Sequence, residues 1–85
     1  MKHAGPVAIA TLEPLLQQIR SLGRLVEKRP GVFYHRSRAF LHFHEDPAGL
    51  FADIRDGDDF DRLKMDDAGA ENLLQRARIA VGEGA

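Results

Sequence analysis

Phe40-Leu41-His42-Phe43-His44-Glu45 and Leu50-Phe51-Ala52-Asp53-Ile54-Arg55 are two alternating runs joined by Asp46-Pro47-Ala48-Gly49, and this block limits the possible folds more than any other. Alternation with a period of two is the mark of a strand with one buried face. The joint offers an Asp to cap a turn, Pro at its second position and Gly at its end, which suits a type I turn. The hairpin it predicts sets Leu41 opposite Ile54, Phe43 opposite Ala52, His42 opposite Asp53 and His44 opposite Phe51. A slip of two residues would keep the faces and change only the partners.

Upstream, Val32–Arg36 and Ala39–Glu45 form a candidate hairpin around Ser37-Arg38. Pairing Tyr34 with Leu41 and Val32 with Phe43 sends those four toward the core and leaves Phe33, His35, Phe40 and His42 on the outer face. Leu25–Lys28 reads as a short strand ended by Arg29-Pro30-Gly31, and Phe60–Met65 as a further strand giving Leu63 and Met65 to one face. Leu12, Leu15, Leu16, Ile19 and Leu22 fall at helical spacing; Thr11 serves as cap, Pro14 lies in the first turn and Gly23 provides the stop. A last helix starts at Asp66 or Asp67, carries Leu73, Leu74 and Ala77, and ends at Gly82.

The resulting order, α-β-β-β-β-α, predicts a two-layer α+β domain, an antiparallel meander sheet of about four strands with both helices on one face. Residues 1–10, with Gly5 and Pro6, are expected as a flexible N-terminal arm, and 11–85 as the single domain. Eighty-five residues leave no room for a second core.

Composition narrows the function classes. There is no cysteine, which removes disulfides, thiolate catalysis and zinc–thiolate sites. The longest apolar run near the start, Val7–Leu12, is far too short to span a bilayer, so a cytoplasmic protein without membrane contact is expected. The net charge of −1 gives no globally basic surface, yet residues 1–38 carry +5 and residues 39–85 carry −6. The two halves are expected to neutralise each other within one fold or across a dimer.

Ser37-Arg38-Ala39-Phe40-Leu41-His42-Phe43-His44 followed by Gly49-Leu50-Phe51-Ala52-Asp53-Ile54 resembles the hairpin of small bacterial domains related to the so-called luciferase domain. The helix, meander and helix order is similar in topology to YjbR-type double-wing domains and to frataxin-like folds. None of these resemblances implies a particular catalytic residue. Frataxin-type iron binding relies on an acidic helix, whereas the first helix here holds only Glu13.

Four groups of residues carry chemistry. Phe33, His35, Phe40, His42, His44, Phe51 and Asp53 on an uncovered sheet face would form an aromatic and histidine surface, which predicts a non-enzymatic binding domain that meets a protein partner or a second copy. The alternative is nucleic-acid or other anion binding through Arg24, Lys28, Arg29, Arg36 and Arg38 around the Arg-rich hairpin. His42 and His44 are weaker candidates for a metal, with His35 or Asp53 as third ligand; no cofactor is expected. A His42–Asp53 pair would raise the imidazole pKa as a general base does, but Ser37 has no oxyanion hole beside it and no catalytic set is legible. Asp56-Gly57-Asp58-Asp59-Phe60-Asp61 departs from the calcium-loop template at Phe60, Asp61 and Asp67, and reads as a turn.

Overall fold

In the computed structural model, which describes residues 1–82, the Asp46–Gly49 turn does set the register that its chemistry predicts. Strand β4 (Arg38–Asp46) pairs antiparallel with β5 (Gly49–Asp56), with Leu41↔Ile54, His42↔Asp53, Phe43↔Ala52 and His44↔Phe51. The Asp46 carboxylate accepts from the Ala48 N–H at 3.1 Å, closing the turn.

Around this pair the fold is α+β. Strands β2 (Val26–Arg29), β3 (Val32–His35), β4, β5 and β6 (Asp59–Lys64) run in that order across one antiparallel sheet, and β1 (Lys2–His3) pairs with β4 beyond the end of β3. The sheet therefore has six strands, more than the meander of about four that the alternation suggests. Helices α1 (Pro6–Arg20) and α2 (Asp67–Ala80) cover one face. Ala8, Leu12, Leu16 and Ile19 of α1 and Leu73, Leu74 and Ala77 of α2 share a core with Phe33, Phe40, Leu41, Phe43, Ala52 and Ile54.

The first ten residues are not a loose arm. Glu45 accepts from the Gly5 N–H at 2.8 Å and pairs with Lys2 at 3.2 Å, while the Ala4 N–H donates to the Phe43 carbonyl at 3.1 Å. Helix α1 begins at Pro6, five residues before the expected Thr11 cap, because Pro at the first helical position is preorganised and loses no hydrogen bond. Pro14 consequently sits inside α1, where it removes one helical bond; its exposed position and the burial of Leu12, Leu16 and Ile19 beside it make this tolerable. Residues 83–85, the last three of the expected 11–85 domain, lie outside the described residues.

The β3–β4 hairpin departs from expectation by one residue. Arg36 and Ser37, not Ser37 and Arg38, form its two-residue turn, with φ of 53° and 68°. Both positive angles are what a two-residue hairpin turn of the primed type demands, although Asn and Gly are its usual occupants. His35 then faces Arg38 and Tyr34 faces Ala39, but Phe33 faces Leu41, so Phe40 is an extra residue in a β-bulge. The bulge sends Phe40 to the same side as Leu41, and the one-residue shift sends Phe33 there too. Phe33 is 1% exposed and Phe40 5%. His35 stands on that side as well, edge-on to Phe40 with ring centroids 5.6 Å apart.

At the end of α1, Arg20 forks onto Glu27 at 2.7 and 3.1 Å and reaches Glu13 at 2.7 Å, while Glu27 also accepts from the Gly31 N–H. Gly31 has φ of +77° and faces the Ile9 methyl so closely that a side chain there would collide. The α2 start is capped by Asp66, which accepts from Gly69 N–H at 2.8 Å; a Cβ on Gly69 would strike the Lys64 carbonyl. Asp56-Gly57-Asp58-Asp59 is the β5–β6 turn, and Arg76 of α2 reaches Asp61 at 2.7 Å from behind it.

Two outcomes test this arrangement. Phe40→Ala will destabilise the chain by about 3–5 kcal/mol in urea unfolding, as a buried ring does; an exposed ring would cost far less. The Arg20 guanidinium, then burial in opposition and the Gly31 N–H, hold the Glu27 carboxyl below its ordinary value. A depressed folded pKa stabilises above the unfolded value of about 4.3, and this contribution fades as pH falls through the folded value. Glu27→Gln will therefore lose stability near pH 6 and show a flatter decline than the wild type from pH 5 to 3 in the same assay.

Candidate functional site

The face of the sheet away from the helices is built by the same alternation that fills the core. Directly paired residues share a side, so His42↔Asp53↔Arg62, His44↔Phe51↔Lys64, Val32↔His42 and Arg55↔Phe60 place all of these on the open face. Of the seven residues expected there, His42, His44, Phe51 and Asp53 are on it. Phe33, His35 and Phe40 are not, for the reason of the shifted turn and the bulge, and Phe33 and Phe40 belong to the core.

At the centre of the face three side chains converge. His42 Nδ1 lies 3.3 Å from His44 Nε2, and His44 Nε2 lies 3.1 Å from Asp53 Oδ2. One donor atom from each of the three falls within 4.8 Å of the others. Asp53 is the only charged or polar residue of the described part with less than a tenth of its surface exposed, at 8%. Its carboxylate accepts two bonds from Arg62, Nε to Oδ1 at 2.8 Å and Nη2 to Oδ2 at 2.9 Å. A bidentate fork of this kind fixes the carboxylate plane.

The expected His42–Asp53 pair is present in the backbone register, but the carboxylate turns to Arg62 and, diagonally, to His44. Asp53 is held below the usual carboxylate range first by its bonds to Arg62, with burial opposing. His42 moves opposite to a general base stabilised by a carboxylate: burial comes first, the neighbouring His44 adds to it, and together they outweigh Asp53 and lower its pKa. Its surroundings therefore favour the neutral imidazole, which keeps a lone pair on one of its two nitrogens.

The surroundings are aromatic and cationic. Phe60 packs against the His42 ring at 4.9 Å, and the Arg55 guanidinium lies over Phe60 at 4.7 Å while its Nε donates to the Ala39 carbonyl at 2.7 Å. His3, brought in by β1, stands edge-on to His44 at 6.4 Å. The buried Nδ1 of His44 has no hydrogen-bond partner among the described residues. Arg62, Phe60 and His3 are the site residues that sequence reasoning missed. Once Leu63 and Met65 are assigned inward, alternation alone puts Arg62 outward, so that signal was present; β1 is too short for any periodicity.

The five basic residues of the alternative reading occupy different places. Arg24, Lys28, Arg29, Arg36 and Arg38 are all exposed. Lys28 lies over the Tyr34 ring at 5.4 Å near the β2 edge, and Arg38 is 3.8 Å from Asp58. Arg36 and Arg24 stand close enough to His35 to lower its pKa, after burial as the larger cause. The two oppositely charged halves neutralise each other only in part. Among the described residues Lys2–Glu45 and Arg38–Asp58 cross the divide, and the other ion pairs stay within one half.

No family model matches the chain, and searches of curated proteins and of solved structures found no match. No helix among the described residues is long and apolar enough to cross a membrane.

Asp53→Ala is expected to cost about 1–3 kcal/mol in urea unfolding, since it strips a mostly buried acceptor from His44. Arg62→Gln will cost less, because half of the Arg62 side chain is already in water.

Proposed function

We propose that the chain is a small binding module whose working surface is the open sheet face around His42, His44, Asp53 and Arg62. One observation carries this reading: two half-buried imidazoles and a buried carboxylate, forked by a half-exposed guanidinium, are held in one cluster on a face that no helix of the described residues covers. A sheet face needed only for solubility would be served by separate, hydrated side chains. Binding is favoured over covalent catalysis by where the hydroxyls lie. Thr11 and Ser21 donate to carbonyls of α1, and Ser37 is at a hairpin tip. None is positioned to be activated by His42 or His44. With Phe33 and Phe40 in the core, the face keeps Phe51, Phe60 and Val32 as its apolar part, a mixture that suits a polar ligand better than a dry homodimer contact.

A second reading, anion binding at the tip of the β3–β4 hairpin, is supported by the grouping of Arg24, Arg36 and His35 and by the positive φ angles kept at Arg36 and Ser37.

Amide shift mapping separates the two. Titration with inorganic phosphate, an oligothymidylate and zinc chloride, and dilution of the protein alone, will move residues 42–44, 51–55 and 60–62 together in at least one series. Shifts confined to residues 24 and 35–38 that fade with salt would favour the hairpin instead. No change on the open face in any series would overturn the first reading.

A further inference from the structure

Resting on the binding reading above, we infer that His42 Nδ1, His44 Nε2 and Asp53 Oδ2 are the three protein ligands of a divalent transition-metal site of the zinc class, with a further position left for water or an external ligand.

The first support is distance. Ligands about 2.0–2.1 Å from a tetrahedral zinc ion lie roughly 3.3 Å from each other. The two His44 separations, 3.3 Å to His42 and 3.1 Å to Asp53, are of that size; the His42 and Asp53 donors stand farther apart, within 4.8 Å, and a rotation of either side chain closes that edge onto an ion. The second support is the proton count at the point of convergence. Both His42 Nδ1 and Asp53 Oδ2 approach the same atom, His44 Nε2, and a single hydrogen there can be aimed well at only one of them. If Nε2 instead carries its lone pair, that lone pair faces a carboxylate. A cation at the centre meets all three lone pairs at once.

Rigidity is the third. His42 and His44 are two apart on β4, hence on one face, and β4 is held by β5 on one side and by β3 and β1 on the other. Asp53 is oriented from outside the triad by the Arg62 fork, as metal-binding carboxylates commonly are by outer partners. Two imidazoles with one carboxylate, and no thiolate, select a borderline ion such as Zn²⁺, Ni²⁺ or Co²⁺ over Ca²⁺. His3 is not needed, since its Nε2 lies 3.3 Å from the Pro30 carbonyl.

The test is calorimetry of the tag-free, chelator-washed chain with zinc chloride. One equivalent is expected to bind and to raise the melting temperature by roughly 10–20 °C at a hundredfold excess over Kd. His42→Ala and His44→Gln are each expected to weaken binding by more than the roughly 10–100-fold that loss of an outer-shell partner costs, and His3→Ala by less. As either variant can fail to fold, the wild type supplies a second readout: ring protons of His42 and His44 shift with zinc while those of His35 stay. Absence of binding, or binding that the two variants leave intact, overturns the inference. If zinc does nothing while phosphate or the oligonucleotide moves the open face, the metal site falls and the binding reading stands.

Discussion

The pairing of β4 with β5 is the constraint on which the other features depend. Its register is pinned at one end by the Asp46–Gly49 turn, and a shift of one residue would exchange the two sides of one strand relative to the other. Leu41–Ile54 and Phe43–Ala52 on one side are the floor on which both helices rest. His42–Asp53 and His44–Phe51 on the other are the floor of the candidate site. Core and site are thus the two faces of the same ribbon, and the hydrophobic burial that stabilises the first also fixes the geometry of the second.

What could be read from the sequence follows the strength of local signals. Asp-Pro-Ala-Gly announces a turn, and the β4–β5 faces follow from it, while the partners stay open to a slip of two residues. Arg36-Ser37 carries no such statement, because the left-handed conformation it adopts is one that Asn or Gly would announce. The bulge at Phe40 is invisible for a related reason: an inserted residue leaves the composition of a strand unchanged and alters only its phase. Together these hid the burial of Phe33 and Phe40. The start of α1 is legible in Pro6, while Pro14, the competing start signal, has a cost inside the helix that is offset by packing only the tertiary structure reveals.

Asp53 shows how position governs chemistry. Read in sequence it is the residue expected opposite His42, within an acidic half. In the fold it is nearly excluded from solvent, forked by Arg62 and touched by His44, so its charge is fixed and directed. The charge asymmetry along the chain, by contrast, survives folding, because pairs such as Arg20–Glu27 and Arg76–Asp61 lie within one half and leave its net charge unchanged.

β2 presents Glu27, Lys28 and Arg29 along its length, and β6 presents Asp59, Asp61, Arg62 and Lys64. An approaching ribbon would have to desolvate these charges before it could extend either border by hydrogen bonding. The molecule can therefore leave one flat side of its sheet uncovered by helices while resisting the lateral polymerisation to which open sheets are prone.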